Sequence, residues 1–268
     1  MTISTEDDRE VLAEIRDLSV TYHTRLGPLN AVNGVSFDIY KGEILGLVGE
    51  SGCGKSTMGK ALMRMIEPPG EISGGHIIFD GEDIMAYDQS QMRDFRGRRV
   101  SMIFQDPMTS LNPVQRVDEH VVEAIQVHEP RTPVEAALDR ARELIEKLGI
   151  RRNRLHDYPH QLSGGMRQRV MAGLGLVLNA DLIVADEATT SLDVIVEAKL
   201  LDEFRNLRDE FNLTILMITH NIALVAQMAD RIAVMYAGQM AEIGNIVEVF
   251  DNPRHPYTVG LLRSVPNI

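Results

Sequence analysis

The sequence is poor in cysteine, in aromatic residues and in positive charge. Its 268 residues include one cysteine, no tryptophan and 5% aromatic residues. The single cysteine, Cys53, excludes an intrachain disulfide, a paired-cysteine metal site and a four-thiolate iron–sulfur cluster within these residues. Lys and Arg number 27 against 39 Asp and Glu, a formal charge of −12. That balance argues against a broad contact with phosphate backbones, so we expect no nucleic-acid partner.

Long apolar runs are also missing. No uninterrupted apolar stretch reaches the roughly 18 residues needed to span a bilayer, and the N-terminus reads MTISTEDDRE, acidic where a secretory signal would be basic. The composition, 44% hydrophobic and 25% charged, is that of a folded globular chain, and the length permits one large domain. We therefore expect a folded domain that does not cross a membrane by itself.

Short apolar runs bounded by turn signals are typical of buried parallel strands, and they alternate here with helical patterns. Alternating apolar residues over 32–39 predict a β region that precedes them. The segment from about 107 to 163 instead carries apolar residues at helical spacing, which predicts an inserted helical segment. The sequence thus predicts an α/β core. The apolar runs lie at 44–48, 100–104, 182–185, 213–218 and 232–236.

Residues 49–56 read GESGCGKS and match the phosphate-binding pattern G-x-x-x-x-G-K-[ST], hereafter the P-loop. The motif follows an apolar run and precedes a helical stretch, which is the context that the chemistry requires. Backbone N–H groups and the helix N-terminus would hold phosphates, Lys55 would reach the β/γ oxygens, and Ser56 would hold Mg²⁺. The candidate nucleotide-binding residues here are Gly49, Glu50, Ser51, Gly52, Cys53, Gly54, Lys55, Ser56 and Thr57.

Polar residues follow three of the other apolar runs. Asp186 ends one run, where a carboxylate can bind Mg²⁺ beside a P-loop, and the adjacent Glu187 is the candidate catalytic base for the attacking water. His220 follows the run at 213–218, and its position suits contact with the γ-phosphate or with that water. Gln105 follows the run at 100–104 and is a candidate ligand of Mg²⁺ or water.

A second anion cradle is predicted far from the first. Residues 162–168, LSGGMRQ, form what we call the signature segment: Ser163 suits a helix N-cap, and Gly164, Gly165 and Met166 follow it. Because the chain already has one phosphate cradle, this one suggests contact with the nucleotide of another molecule. Such contact would require face-to-face dimerisation.

Taken together, these segments resemble the nucleotide-binding subunits of ATP-binding cassette (ABC) transporters, in the same order along nearly the whole chain. The resemblance implies a RecA-like P-loop NTPase core with an N-terminal antiparallel β-subdomain and an inserted α-helical subdomain. It also implies that Tyr22 stacks on adenine and that Asp193, in the sequence Ser191-Leu192-Asp193, belongs to a loop beside the nucleotide. The expected cofactors are ATP and Mg²⁺.

Three further phrases resemble the importer branch for oligopeptides, dipeptides and nickel: residues 105–113 (QDPMTSLNP), 166–170 (MRQRV) and 255–258 (HPYT). On this basis we expect an ABC domain over 1–244, with the helical subdomain at about 107–163, and a C-terminal segment over 245–268. Ala188 replaces the branch's usual proline. The cysteine-bearing tail of many members is missing, so we expect a shorter member or a truncated form.

The function implied by the resemblance is ATP hydrolysis that powers peptide import. Expected partners are a second nucleotide-binding subunit, a paralogous chain or a second copy, two membrane-spanning permease subunits, and indirectly an extracytoplasmic substrate-binding protein. The expected location is peripheral, on the cytoplasmic face of the cell membrane. Alternatives left open are a nickel or other small-solute importer, a non-transport ABC ATPase, and a subunit that holds ATP without cleaving it.

Overall fold

The computed structural model describes residues 9–104, 111–187, 205, 206, 208, 210 and 212–264. Two compact units divide the chain: one contains the described residues up to Met92 and those from Thr214 onward, and the other extends over Arg93–Leu213. The strands are Val11–Thr24 (β1), Gly27–Tyr40 (β2), Ile44–Val48 (β3), Gly70–Phe79 (β4), Glu82–Asp83 (β5), Val100–Ile103 (β6), Leu182–Asp186 (β7), Thr214–Thr219 (β8), Arg231–Tyr236 (β9) and Gln239–Asn245 (β10). The α-helices are Lys55–Leu62 (α1), Gln89–Arg98 (α2), Val117–His128 (α3), Val134–Lys147 (α4), Gly164–Leu176 (α5), Ile222–Met228 (α6), Ile246–Asp251 (α7) and Pro256–Arg263 (α8).

An antiparallel sheet opens the first unit, with strand order β2-β1-β4-β5. The predicted alternation in β2 is confirmed, because Val32, Val35, Phe37 and Ile39 are all buried. Polar residues between them face outward, as expected for a sheet covered on one side. This sheet is the predicted N-terminal β region.

Parallel strands form the second layer of the same unit. β3 pairs in parallel with β8 on one side and β9 on the other, and β10 extends β9 antiparallel. All five residues of β3 are buried, as its uninterrupted apolar sequence predicts for a strand covered on both faces. The register places Val48 opposite both Thr219 and Val234. The carboxyl ends of these strands therefore lie at one edge of the sheet.

The second unit contains a parallel strand pair and a group of helices. β6 pairs with β7, with Ile103 opposite Ala185. Between 111 and 163 the described residues contain α3, α4 and two short 3-10 segments, Arg152–His156 and Pro159–Gln161, and no strand. In α4 the buried residues Ala137, Ala141 and Ile145 recur every four positions, which confirms the predicted helical spacing.

No helix among the described residues is both long enough and apolar enough to cross a membrane. The described helices are short: the longest, α4, has 14 residues.

Candidate nucleotide-binding site

The P-loop connects the buried strand β3 to helix α1, as predicted. Gly54 is the N-cap of α1 with φ of +110°, a conformation that side chains other than glycine rarely adopt. No side chain caps this helix, and no acidic residue lies in its first turn. The N-terminus of α1 is therefore not occupied by a capping side chain, which suits the binding of an anion there.

Lys55 lies across the P-loop. Its side chain is buried, and its Nζ donates to the carbonyl oxygens of Gly49 and Glu50, each at 2.8 Å. The loop is thus held closed around an ammonium group at the start of α1. That is the placement from which a lysine can reach phosphate oxygens.

Cys53 is buried within the same loop. Burial raises the pKa of its thiol, an effect that the positive charge of Lys55 partly opposes. Its backbone carbonyl accepts from the N–H of Gly238 at 2.9 Å, which fastens the loop to the turn after β9. Cys53 therefore acts as a small packed residue of the loop and remains a protonated thiol at neutral pH.

His220 leaves the sheet beside the P-loop. It directly follows β8, whose last residue, Thr219, lies opposite Val48 of β3, and the P-loop begins one residue after Val48. The side chain of His220 is exposed, and Asn221 caps helix α6 by accepting from the N–H of Leu224 at 3.3 Å. His220 and the P-loop thus leave adjacent parallel strands at the same edge of the sheet.

Asp186 and Glu187 end strand β7 in the second unit. Asp186 is buried at the carboxyl end of the strand, whereas Glu187 is half-buried and has φ of +47°. A left-handed backbone at a residue other than glycine is uncommon and is often found at functional sites. The two carboxylates therefore occupy the predicted position at a strand end.

The signature segment leads into helix α5. Ser163 is the N-cap and accepts from the N–H of Met166 at 3.3 Å, as predicted. Gly164 is exposed, Gly165 is half-exposed, and no acidic residue lies in the first turn. The start of this 13-residue helix is accordingly a second place with outward N–H groups that suit an anion.

The remaining predicted residues fall in different places. Tyr22 is half-buried in β1, in register with Gly70 of β4, and its ring covers that glycine. Ser56 and Thr57 are in the first turn of α1. Gln105 and Asp193 lie outside the described residues, and their roles stay predictions.

Tyr257 is a residue at this site to which the sequence analysis gave no role. Its hydroxyl accepts from the backbone N–H of Glu50 in the P-loop at 3.1 Å. The phrase HPYT marks a family branch in the sequence, but no local pattern indicates that it contacts a loop 207 residues away.

The fold and the P-loop define the chain as a P-loop nucleotide-binding domain. A family model for ABC transporters matches residues 32–190, and a model for the C-terminal region of oligopeptide/dipeptide transporters matches residues 241–268. The first model alone covers more than half of the chain. The chain therefore belongs to the ABC transporter family.

Relatives with curated names match along nearly the whole chain. The oligopeptide transport ATP-binding protein OppD of Bacillus subtilis is 45% identical over 260 residues, which cover 96% of this chain and 72% of that protein. The dipeptide transport ATP-binding protein DppD of the same organism is 43% identical over 262 residues, covering 97% and 78%. OppD of Escherichia coli is 43% identical over 264 residues, covering 98% and 78%.

Solved structures with the same fold are cassettes of this family. The dimeric structure of MJ0796, described as a bacterial ABC transporter cassette, has a TM-score of 0.78 at 25% identity and covers 88% of this chain and 99% of its own. CbiO1 of Clostridium perfringens, described as part of an ABC transporter complex, has a TM-score of 0.77 at 25% identity and covers 91% and 92%. The predicted fold class is thereby confirmed, and the chain is an ATP-binding ATP hydrolase of the ABC type.

Proposed function

We propose that this chain is the ATP-hydrolysing subunit of a peptide importer. The observation that carries the proposal is the double match: the ABC model covers the nucleotide-binding segments, and the oligopeptide/dipeptide model covers the C-terminal segment. Relatives named for oligopeptide and dipeptide transport support the same cargo. The alternatives of nickel import and of a non-transport ATPase are not favoured by these relatives.

The domain organisation follows from this assignment. We assign residues 1–244 to the nucleotide-binding domain, with the helical subdomain at about 107–163, and residues 245–268 to the segment typical of the peptide-importer branch. The described helices α3 and α4 lie inside the proposed subdomain. Helix α8 and the residues before it lie inside the C-terminal model match at 241–268.

Phosphate binding is assigned to the P-loop and the start of α1. The N–H groups of the first turn and the ammonium of Lys55 would hold the β- and γ-phosphates, because both attract anions and both lie at the start of α1. Tyr22 would stack on the adenine. Lys55 would exchange its two carbonyl partners for phosphate oxygens when the triphosphate binds.

Hydrolysis is assigned to Glu187 and His220. Glu187 would accept a proton from the attacking water, and His220 would orient that water or the γ-phosphate. Gln105 is proposed to contact the same water. Glu187 and His220 each directly follow a strand, so the backbone fixes where their side chains begin.

We also propose a magnesium site. Ser56 and Asp186 offer a hydroxyl and a carboxylate oxygen, the donors that Mg²⁺ prefers, and Gln105 is the proposed third ligand. Bound Mg²⁺ neutralises charge on the β- and γ-phosphate oxygens during transfer. Asp186 is buried at a strand end, which keeps its carboxylate in one position.

Dimerisation is assigned to the signature segment. We propose that ATP lies between the P-loop of one subunit and residues 163–166 of a second nucleotide-binding subunit, with Asp193 close to the same seam. That subunit is a second copy or a paralogous chain. Loss of the γ-phosphate removes charge and contacts from the seam, so hydrolysis would let the subunits separate.

Coupling to the membrane is assigned to the helical subdomain. A hollow of about 620 Å³ lies in the second unit between α3 and α4, and Val122, Val127 and Leu138 contribute its apolar surface. We propose that two permease subunits each insert a cytoplasmic helix into such a hollow. The chain would then lie peripherally on the cytoplasmic face of the membrane, and an extracytoplasmic substrate-binding protein would supply the peptide.

The decisive experiment is Glu187→Gln in the chain assembled with its permeases. Amide replaces carboxylate with little change of volume, so we expect ATP turnover to fall by about 100-fold or more while ATP binding is kept. Glu143→Gln, on an exposed position of α4, is the matched control and keeps full turnover. Unchanged turnover of Glu187→Gln would exclude the catalytic base proposed here.

A further inference from the structure

Helix α8 begins beside the P-loop. Tyr257 is its second residue, and the Tyr257 hydroxyl accepts a hydrogen bond from the backbone N–H of Glu50 at 3.1 Å. Glu50 is the second residue of the P-loop. The C-terminal segment that distinguishes this branch of the family therefore contacts the loop assigned to phosphate binding.

Contacts of the preceding residues and of the ring itself hold Tyr257 in place. The Glu242 carboxylate on β10 accepts from the backbone N–H groups of Arg254 at 2.8 Å and His255 at 3.0 Å, which fixes the chain before α8. Nδ1 of His255 accepts from the N–H of Tyr257 at 3.2 Å. The ring of Tyr257 also packs against the ring of Tyr236, with 4.4 Å between centroids. These contacts fix the position of the Tyr257 ring and therefore of its hydroxyl.

The pKa of Glu242 is consistent with this bracing. Partial burial raises the pKa of the Glu242 carboxyl, but its interactions with the N–H of Arg254, the hydroxyl of Thr258 and the N–H of His255 together outweigh burial and lower that pKa below its ordinary value. Glu242 therefore remains a carboxylate throughout the neutral range. The clamp on residues 254 and 255 does not depend on pH there.

The backbone of Glu50 is fixed on both sides. Tyr257 accepts from its N–H, while its carbonyl oxygen accepts from Nζ of Lys55 at 2.8 Å and from the N–H of Cys53 at 3.2 Å. The same lysine is assigned to the phosphates. The peptide unit that contains the Glu50 N–H also contains the Gly49 carbonyl, which accepts from the same Lys55 Nζ at 2.8 Å, so a change at this N–H reaches the lysine through one peptide unit.

We propose that Tyr257 is a positioning residue of the nucleotide site: its hydroxyl fixes the Glu50 peptide and holds the P-loop in the form that accepts a triphosphate. The proposal rests on the assignment of the P-loop to ATP. Preorganisation of this kind strengthens binding because less ordering remains to be done when the ligand arrives. Tyr257 itself touches no phosphate and takes no part in the chemistry.

The first test compares Tyr257→Phe with Tyr236→Phe. Each change removes one hydroxyl from the same ring pair, but of these two hydroxyls only that of Tyr257 has a hydrogen bond to the described P-loop. Loss of one hydrogen bond to the loop predicts an increase of about three- to tenfold in the KM for ATP of Tyr257→Phe, with kcat within about twofold of wild type. Tyr236→Phe keeps both constants. A fall in kcat at unchanged KM in Tyr257→Phe would overturn the proposal.

The second test measures hydrogen exchange of the Glu50 amide without nucleotide. Tyr257→Phe leaves this N–H without its acceptor, so we expect faster exchange in peptides containing Glu50 and unchanged exchange in β3. Equal exchange in wild type and variant would overturn the proposal. Because this readout needs no ATP, it separates the outcome from the proposed function, which fails on its own if the wild-type chain does not bind ATP.

A double-mutant cycle with Glu50→Pro completes the test. Proline has no N–H to donate, so Tyr257→Phe is expected to add no further increase in KM when it is introduced into Glu50→Pro. The cycle also detects a general loss of folding caused by Tyr257→Phe, because that loss would appear both in the wild-type chain and in Glu50→Pro. A Tyr257→Phe effect that is as large in Glu50→Pro as in wild type would overturn the proposal.

Discussion

Glu187 combines a candidate catalytic carboxylate with a left-handed backbone. Its φ of +47° directly follows the last residue of β7. Such a conformation costs about 1–3 kcal/mol at a side chain other than glycine, and structures keep it chiefly where position matters more than stability. The backbone at Glu187 therefore supports the catalytic role that the sequence pattern predicts.

Gly54 offers a sharp test of the P-loop at the residue scale. A Cβ at this position would lie 2.1 Å from the carbonyl oxygen of Ala31, and φ is +110°. For Gly54→Ala we expect a loss of about 2–4 kcal/mol in the free energy of unfolding, the sum of backbone strain and overpacking, together with weaker ATP binding. Urea unfolding and ATP titration measure the two effects.

Gly52→Ala is the matched control for that change. Gly52 also has positive φ, +81°, but no atom lies within 4 Å of the Cβ it would carry. We expect only the backbone strain, about 1–2 kcal/mol. Equal losses of stability in the two variants would show that the contact with Ala31 does not constrain the loop.

Helices α3 and α4 enclose the hollow assigned to a permease helix. Val127 lines the hollow and is 53% exposed, so this apolar side chain is available for contact with a docked helix. For Val127→Asp we expect recovery of the permeases by co-purification to fall by about tenfold, because docking would bury an unpaired charge. ATP binding by the chain alone stays unchanged.

Val247→Asp is the control for this prediction. Val247 is 61% exposed on α7 in the other unit and does not line the hollow. The same change of side chain there is expected to leave co-purification intact. Normal permease recovery with Val127→Asp would place the docking surface elsewhere.

Local patterns predicted the elements that depend on local physics. β3, β7, β8 and β9 each lie within one residue of their predicted bounds, because a strand buried on both faces needs an unbroken apolar run. The N-cap at Ser163 was predictable for a similar reason, since the hydroxyl and the N–H that it accepts from are three residues apart. Neither prediction requires knowledge of the tertiary fold.

Contacts between distant segments were not predictable in this way. The bond from the N–H of Glu50 to Tyr257 joins residues 207 apart, and it depends on where α8 is placed by the clamp at Glu242. The left-handed backbone of Glu187 likewise could not be predicted from the residue type, because glutamate rarely adopts positive φ. Both features arise from packing.

At the scale of the whole molecule, two units each carry half of the predicted machinery. The P-loop and His220 belong to one unit, and Asp186, Glu187 and the signature segment belong to the other. Each unit therefore carries part of the predicted ATP-hydrolysing function, and variants made in each unit test that part separately.

ATP-dependent dimerisation is the corresponding prediction. We expect Glu187→Gln with Mg²⁺ and ATP to sediment as a dimer, alone or with a paralogous cassette, because slow hydrolysis preserves the γ-phosphate at the seam. Adding Ser163→Arg to Glu187→Gln should abolish the dimer, since a long charged side chain would occupy the cap of α5 at the seam. Analytical ultracentrifugation distinguishes the species. A dimer that survives Ser163→Arg would remove the signature segment from the interface.

Because β3 and β8 pair in parallel with Val48 opposite Thr219, the sheet fixes the spacing between the start of the P-loop and His220. Neighbouring strands lie about 4.8 Å apart whatever side chains they carry, because backbone hydrogen bonds set the spacing. The spacing between the start of the P-loop and His220, the residue proposed to contact the γ-phosphate or the attacking water, is thus set by the main chain rather than by the side chains of the strands. Substitutions in either strand would lower the free energy of unfolding before they altered the spacing between the strands.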